Sequence, residues 1–462
     1  MKNPMMQTKA FSHPSNAVSS GPTCPFPHAA DGMTQTPDAV ARAAGVAPSA
    51  YGTRRPVRKE GGLVRRAINA GSYLGILALK PLKIYAYRTR FTFIKRAILE
   101  VTTPIDWSLI FLNIQNPTML LHEKAYGGNF LFGKGVMVID HRQTEEEIAK
   151  PAPRCNDFMG VSFATSDSIT FATNTASVNQ CPPARSVTRD YIETKIFKPE
   201  VRAIELDYGK IRADCAEILS EWKRADDMAT MFGIRGAATR ILLKVLSGKT
   251  IPKKEADEVT HEYIRRFLEA SLFSRYATFM NGLLGTHESM RRNVYQRLRD
   301  DGFDGILIEM VMFAGMFSVG SIVMRCVEDI QRFEIRYDEL TYEEKRNFVI
   351  EAQRLFPTVT TVHRILEKDE VVKIGRKPIK LQVGDQIVYP FACSNRDPSQ
   401  FHDPEMLRLD RPREEYDKVL SWSKGPHGCP ARDLSITVVV NMLDTLAERY
   451  DLSELKIFNM QI

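Results

Sequence analysis

A glycine-rich turn near the C-terminal end of the sequence places one cysteine where it is suited to bind a metal. The turn Trp422–Arg432 contains Gly425 and Gly428, so its backbone can bend tightly and lie close to a flat ligand. Cys429 precedes an apolar pattern of helical spacing that runs from Ile436 to Leu446. The unpaired N–H groups and the positive dipole end of a helix N-terminus favour a thiolate. We therefore expect the sulfur of Cys429 to bind a metal.

An ordinary buried cysteine after a glycine-rich turn would have the same local sequence. The loop resembles the heme-binding loop of the cytochrome P-450 family, aromatic-Gly-x-Gly-x-Arg/His-x-Cys-x-Gly. It matches this pattern at Trp422, Gly425, His427 and Cys429, and small residues, Ser423 and Ala431, replace the two other glycines. The resemblance implies heme b as the cofactor, Cys429 as the iron ligand and His427 as a residue that holds a heme propionate.

A strongly apolar helix predicted near 303–326 carries a second part of the resemblance. In the family this helix crosses the distal heme face and usually contains Ala/Gly-Gly-x-Asp/Glu-Thr-Thr. Ala314 and Gly315 match and leave room for a ligand on the iron, whereas Phe317 replaces the acid and Ser318 replaces the alcohol. The acid–alcohol pair of the family relays protons to iron-bound dioxygen, which a phenylalanine cannot do, although Ser318 can still hold a water. Ala314, Gly315 and Ser318 are the catalytic-site candidates.

Three arginines match propionate-binding positions of the family. Arg185 and Arg189 are four residues apart, so they share one face of a predicted helix. In the family a His/Trp-x-x-x-Arg pair at this place binds a heme propionate; Arg185 replaces the first residue and Arg189 matches the second. An arginine keeps this chemistry because it pairs with carboxylates through two hydrogen bonds. A solvated helix face would also explain the pair. Arg364 stands where the family has a further propionate-binding arginine.

A Glu-x-x-Arg motif lies on a helix that ends before Pro357. Glu351 and Arg354 share one helix face, and taken alone such a pair is usually a solvated salt bridge. The resemblance implies that Arg411 joins them in a buried charge triad behind the heme loop. That triad would be structural and not catalytic.

Composition and charge exclude several classes of protein. Lys and Arg number 63 against 56 Asp and Glu, and this mild net charge of +7 suits an acidic redox partner, an anionic surface or an ordinary solvated face. No nucleic-acid partner is expected. The seven cysteines are dispersed and form no Cys-x-x-Cys pair, which argues against a disulfide framework or a zinc ribbon and for a reducing compartment. No glycine-rich phosphate loop or βαβ alternation is present, so a dinucleotide-binding fold is not expected.

The chain is predicted to be mainly α with a small β region, in the cytochrome P-450 fold. Residues 1–60 are rich in Pro, Ser, Thr, Gly and Ala and are expected to be a flexible, disordered tail. Residues 61–462 are expected to form a single catalytic domain. Its predicted elements are helices at 208–222, 226–246, 253–273 and 275–299, a hairpin at 130–139 and an extended segment at 379–391.

The sequence also bears on location. The first residues lack the apolar core of a signal peptide, and Gly305–Met324 resembles a membrane span but is interpreted as a buried helix. We therefore expect an intracellular protein, cytoplasmic or peripherally membrane-associated. Residues 54–96 are basic and enclose the apolar Ala67–Leu79, which either rests on a membrane surface or packs on the core.

The predicted function is that of a monooxygenase, the usual activity of the family, and two alternatives remain open. The monooxygenase would insert one oxygen atom into an apolar substrate (lipid, terpenoid or polyketide-like), with electrons from a separate ferredoxin or reductase. The first alternative uses a peroxide: a peroxygenase, or a fatty-acid hydroperoxide isomerase or dehydratase, which the loss of the acid at Phe317 favours. The second alternative is a heme-binding protein without turnover, which the altered distal helix allows.

Overall fold

The computed structural model describes most of the chain between residues 63 and 456. The described ranges are 63–113, 115–133, 135–150, 157–158, 161–162, 189–205, 207–224, 232–272, 296–366, 368–375 and 377–456. The predicted tail at 1–60 and the propionate candidate Arg185 lie outside them, as do most of 275–299 and of the segment 151–188.

Helices make up most of the described chain. In chain order they are α1 Leu63–Arg88, α2 Thr92–Asn113, α3 Gln115–Tyr126, α4 His141–Ile148, α5 Pro199–Glu205, α6 Tyr208–Leu219, α7 Gly233–Ser247, α8 Lys253–Leu272, α9 Gln296–Asp300, α10 Gly305–Glu309, α11 Met316–Phe333, α12 Tyr342–Leu355, α13 Phe391–Ser394, α14 Arg413–Tyr416 and α15 Arg432–Ala447. Short π-helical segments occur at Ile192–Ile196 and Met310–Gly315, and 3₁₀ turns at Tyr337–Glu339 and Gly425–His427.

The strands form one small sheet and two separate hairpins. They are β1 Phe130–Phe132, β2 Gly135–Met137, β3 Asp157–Phe158, β4 Val161–Ser162, β5 Thr361–Ile365, β6 Glu370–Ile374, β7 Lys377–Leu381 and β8 Gln386–Pro390. The sheet has the order β1-β2-β8-β5, with β2 parallel to β8 and the other pairs antiparallel. The hairpin predicted at 130–139 is confirmed, and the extended segment 379–391 divides into the end of β7 and the whole of β8.

Buried apolar side chains form two clusters. The larger one joins most of the helices from α5 to α15, including the distal helix, by which we mean Gly305–Phe333. The smaller one lies around the four-stranded sheet and the helices α1 to α3. The predicted fold class, mainly α with a small β region, is therefore confirmed.

The distal helix is longer than the predicted 303–326 and is interrupted once. Asp304 caps its start by accepting hydrogen bonds from the backbone N–H groups of Ile306 and Leu307 at 2.9 and 3.0 Å. The π-helical turn Met310–Gly315 follows, a distortion that often marks functional sites. Among the described residues this is the one helix long and apolar enough to cross a membrane, and 62% of its apolar window is buried inside the protein, as in a core helix.

Candidate functional site

The cysteine loop is held by its own backbone and by one indole. The N–H of Cys429 donates to the carbonyl oxygen of Trp422 at 2.8 Å, and the N–H of Gly428 donates to that of Gly425 at 2.9 Å. The indole Nε1 of Trp422 donates to the hydroxyl of Ser435 in α15 at 3.3 Å. The loop is therefore closed on itself and fixed to the helix that follows it.

Gly425 cannot be replaced freely, for two independent reasons. Its φ of +58° lies in the left-handed region that side chains disfavour. A Cβ at this position would also lie 2.8 Å from the carbonyl oxygen of Ala149, just after α4. The glycine thus lets the cysteine loop pack directly on the backbone of a distant segment.

Two arginines bind the loop from outside. Nη1 of Arg189 donates to the carbonyl oxygen of Gly428, and Nη1 of Arg202 donates to that of Pro430, both at 2.8 Å. Arg189 also pairs with Glu193 at 2.7 Å, and Arg202 pairs with the same carboxylate. The predicted propionate residue Arg189 therefore contacts the backbone beside Cys429. Arg202 was missed by the sequence analysis, and no family motif includes it.

Cys429 is exposed, in contrast to the other cysteines that the structure describes, Cys215, Cys326 and Cys393, which are buried. Burial of the loop nevertheless raises the pKa of the Cys429 thiol, although the N–H of Ala431 and three guanidinium groups lower it (Arg189, Arg202 and Arg432). The helix begins only at Arg432, so the expected effect of its N-terminus is weaker than burial. A metal bound at Cys429 would favour the thiolate, since a coordinating thiol loses its proton.

Most of the distal helix is buried, but its centre has an open face. Ala314 is exposed and Ser318, one turn later, is half-buried, so a small side chain and a hydroxyl share one open face. Gly315 also has a packing role, because a Cβ there would lie 2.6 Å from Leu242 of α7. Its missing side chain makes room for a neighbouring helix, in addition to any space near the iron.

Phe317, which replaces the family's acid, is packed among other side chains. Its ring centroid lies 5.8 Å from that of Tyr263 in α8 and 5.5 Å from the guanidinium carbon of Arg235 in α7. Arg235 is fully buried, and burial lowers its pKa to about 10. From Met310 to Met324 the sequence contains no titratable side chain. This stretch of the distal helix therefore supplies no proton donor stronger than a serine hydroxyl.

Glu351, Arg354 and Arg411 meet in a buried cluster. Nε of Arg354 donates to Oε1 of Glu351 at 2.7 Å, and Nε of Arg411 donates to the same oxygen at 2.9 Å. All three side chains are fully buried. Further acceptors for the guanidinium groups are backbone carbonyls, including those of Asn395 and Met406. The network fixes α12 to the segment before α14 and leaves no group for catalysis.

The remaining propionate candidates are Arg364, His427 and Arg185. Arg364, on β5, lies 3.3 Å from both Glu147 and Glu370. Its Nε is buried and has no hydrogen-bond partner among the described residues, so one donor remains for a further carboxylate. His427 belongs to the 3₁₀ turn Gly425–His427, and Arg185 lies outside the described residues.

These donors fit heme better than a bare metal ion. Within the described ranges no group of three or more His, Cys, Asp or Glu side chains could hold an ion. Cys429 therefore offers a single strong ligand, and the metal has to bring its other ligands with it, as heme iron does. The spare N–H of Arg364 and the open faces of Cys429 and Ala314 agree with a flat carboxylate-bearing cofactor.

Comparison with known proteins gives the same family. Residues 334–457 match the sequence model of the family described as Cytochrome P450. A linoleate 10R-lipoxygenase of Aspergillus fumigatus is 32% identical over 114 residues, which is 25% of this chain and 10% of that protein. A bifunctional dioxygenase (DOX)-epoxy alcohol synthase (EAS) of Pyricularia oryzae is 28% identical over 102 residues, 22% of this chain and 9% of that protein. The match thus spans about a tenth of these relatives.

Solved structures agree in fold at low sequence identity. A six-coordinated cytochrome P450 from Thermus thermophilus has 15% identity and a TM-score of 0.55, over 73% of this chain and 91% of that one. P450BioI in complex with an acyl carrier protein ligated to hexadec-9Z-enoic acid has 15% identity and a TM-score of 0.53, over 68% and 85%. The chain thus has the cytochrome P450 fold, and its residues 334–457 match the sequence model of that family, with Cys429 in the motif position of the heme-iron ligand.

Proposed function

We propose that this chain rearranges a fatty-acid hydroperoxide and needs no electron donor. The observation that carries the proposal is the distal helix, which has Phe317 at the acid position and no titratable side chain from Met310 to Met324. Reductive activation of dioxygen needs protons delivered to the oxygen, whereas a hydroperoxide arrives already reduced. Loss of the acid that relays protons is thus tolerable for the conversion of a hydroperoxide and costly for the activation of dioxygen.

The surroundings of Phe317 strengthen this interpretation. The ring is held between α7 and α8 by Tyr263 and by the buried guanidinium of Arg235. A carboxylate at this position would lie within reach of that cation and would pair with it, so its pKa would fall and it would be a poor proton donor. Phe317 therefore does more than replace an acid, because its ring packs against Tyr263 and Arg235 in the neighbouring helices.

The chemistry balances without a co-reactant. An epoxy alcohol or a diol that retains both oxygen atoms has the same elemental composition as the hydroperoxide from which it forms. One O–O bond breaks, both oxygens stay in the product, and no net electrons or protons are consumed. Heme, when bound, would supply an iron with a thiolate ligand, whose electron density favours cleavage of the O–O bond.

The chain's own residues then have limited roles. Cys429 provides the thiolate, and the small side chain of Ala314 leaves room for the peroxide group on the open face of the distal helix. The Ser318 hydroxyl, one turn away, can exchange a hydrogen bond with the peroxide oxygen or with a water. The names of the relatives agree with this class of substrate, since they describe a linoleate lipoxygenase and a dioxygenase joined to an epoxy alcohol synthase.

The test is anaerobic mixing of the ferric protein with a linoleate hydroperoxide and no electron donor, followed by product analysis. We expect rapid conversion to isomers of the hydroperoxide, and none with the matching hydroxy fatty acid, which lacks the O–O bond. Cys429→Ser should abolish the conversion. Spectral binding of the hydroperoxide without any consumption would overturn the proposal.

That negative result would favour the second candidate, a monooxygenase acting on an apolar substrate with electrons from a separate ferredoxin or reductase. The observation in its favour is the half-buried hydroxyl of Ser318, where a bound water could replace the family's relay. Oxygen insertion that depends on a reductase would then be expected. In Ser318→Ala a smaller share of the electrons consumed should lead to product.

A further inference from the structure

Helices α1 and α2 pack against each other and form a hairpin whose outer side is apolar. Along α1 the exposed positions repeat every three or four residues, and they include Leu74, Leu77, Leu82 and Tyr85. Leu74 has 65% of its surface exposed, so this stripe is not half-covered core. A helix of a globular protein normally has polar residues on this side.

The second helix continues the same surface. Phe93, Val101 and Ile105 are exposed at helical spacing on α2, and Phe93 and Val101 are 70% and 66% exposed. Phe91, in the connection between the helices, is 59% exposed and lies beside Phe93, with ring centroids 5.9 Å apart. We call these exposed side chains of α1, α2 and their connection the hairpin face. Contiguous exposed apolar surface of this kind marks an interaction site.

The opposite side of the hairpin is anchored to the protein, which fixes the direction of the hairpin face. Lys83, on α1, is buried in an ion pair with Asp106 of α2. Lys95 pairs with Asp385, just before β8, at 2.6 Å and lies over the ring of Tyr87 at 4.5 Å. The inner side of the hairpin therefore combines this buried ion pair with apolar side chains of the smaller cluster, such as Ile76 and Leu99, and the exposed apolar side chains lie on the opposite side.

Positive charge surrounds the hairpin face. Residues 63–105 contain eight Lys or Arg and one acid, Glu100. Of these cations Arg66, Arg88, Arg90 and Arg96 are exposed, and none has an ion-pair partner among the described residues. Arg66 and Arg88 lie near the two ends of the α1 stripe. Exposed apolar side chains with arginines at both ends of the α1 stripe and in the connection are complementary to a lipid surface that carries anionic headgroups.

We propose that the hairpin face docks this protein onto an anionic lipid membrane, with Phe91 and Phe93 inserted below the headgroups and the arginines at headgroup level. A second copy fits less well, because a two-fold contact would bring the unpaired arginines of both copies together. The sequence of residues 1–62 is poor in periodic apolar content, so it predicts no amphipathic helix to cover this face. The docking surface is independent of which oxidant the heme uses.

Co-sedimentation of the full-length heme-loaded protein with vesicles tests the proposal. Vesicles of phosphatidylcholine alone are compared with vesicles that also contain phosphatidylglycerol, at low and high salt. The wild type should bind the mixed vesicles more strongly, and salt should reduce the difference. Phe91→Asp with Phe93→Asp should weaken binding to both vesicles by about tenfold or more. Arg88→Glu with Arg90→Glu should remove only the preference for anionic lipid.

Controls of the same chemistry lie outside the hairpin. Val359→Asp introduces a charge at an exposed valine, and Arg413→Glu reverses an exposed arginine, so neither should change vesicle binding. An unchanged heme spectrum and melting temperature show that each variant is folded. Absence of wild-type binding to mixed vesicles at low salt would overturn the proposal. So would a dimer in solution that Phe91→Asp with Phe93→Asp dissociates while vesicle binding stays the same.

Discussion

Replacing Glu351 by glutamine should destabilise the protein by several kcal/mol. The carboxylate is fully buried and accepts hydrogen bonds from Arg354 at 2.7 and 3.0 Å, from Arg411 at 2.9 Å and from the N–H of Arg408 at 3.0 Å. Glutamine keeps one acceptor oxygen but removes the charge. Arg411 retains Glu415 at 2.6 Å, whereas Arg354 keeps only backbone carbonyls beyond Glu351.

The size of the effect follows from that difference. Removing one partner of a buried ion pair costs about 3–5 kcal/mol, because the remaining charge stays buried without compensation. With an unfolding entropy of about 2 cal/mol/K per residue, a domain of roughly 400 residues should melt about 4–6 °C lower. Loss of the thiolate-type heme spectrum on heating is the assay, because the triad fixes segments on both sides of the cysteine loop.

A matched control has the same separation along the chain. Arg336 and Glu339 also form an i, i+3 pair, at 2.6 Å, but their side chains are 65% and 43% exposed. Glu339→Gln should therefore cost about 1 kcal/mol or less. Equal melting temperatures for Glu351→Gln and Glu339→Gln would refute the conclusion that the buried triad stabilises the fold.

Two further predictions concern the loop and the hairpin. Gly425→Ala should reduce heme retention and stability more than Gly384→Ala does. Gly384 also has a positive φ, +88°, but the space around it is open, so its substitution should cost only about 1 kcal/mol. Equal losses of bound heme and of melting temperature in the two variants would exclude the close contact at Gly425 as the cause. Burial raises the pKa of Asp106, but Lys83 and His122 outweigh it and hold that pKa below its usual range. The stability that this carboxylate contributes is therefore present above pH about 4 and is lost as the pH falls through the lower folded pKa. Asp106→Asn should flatten the acid side of the curve of stability against pH. An unchanged acid side would contradict the conclusion that Asp106 stabilises the fold as a carboxylate.

The sequence predicted the parts of the structure that depend on local pattern. The helix Tyr342–Leu355 has a strong periodic pattern and a capping box at Thr341, and its end before Pro357 is visible in the sequence. The hairpin of β1 and β2 follows from apolar residues on both sides of a glycine-rich turn. Such elements are specified by residues close together in the chain.

Features that depend on distant contacts were not predictable. Gly425 packs on the backbone of Ala149, and nothing in either segment indicates the other. The motif position of Gly315 predicts space near the iron, but it does not predict the close approach of Leu242 from another helix. Arg202 binds the cysteine loop across more than two hundred residues, and no spacing rule connects them.

The electrostatics of the cysteine also depended on burial. A sequence motif shows a helix after Cys429, which favours a thiolate, but it does not show how much water the fold removes from the sulfur. In the structure desolvation raises the pKa of the thiol, although the N–H of Ala431 and three nearby guanidinium groups lower it. The identity of the ligand was thus predictable from the motif, and its protonation was not.

The most direct test of the whole account is the absorption spectrum of the reduced carbonyl complex of the purified protein, compared between wild type, Cys429→Ser and Cys393→Ser. Cys393 is the matched control, because it is buried and burial raises its thiol pKa far above the usual range. A thiolate-type spectrum is expected in the wild type and in Cys393→Ser, and its loss is expected in Cys429→Ser. A thiolate-type spectrum that survives in Cys429→Ser would contradict the assignment of the iron ligand and, with it, the proposed chemistry.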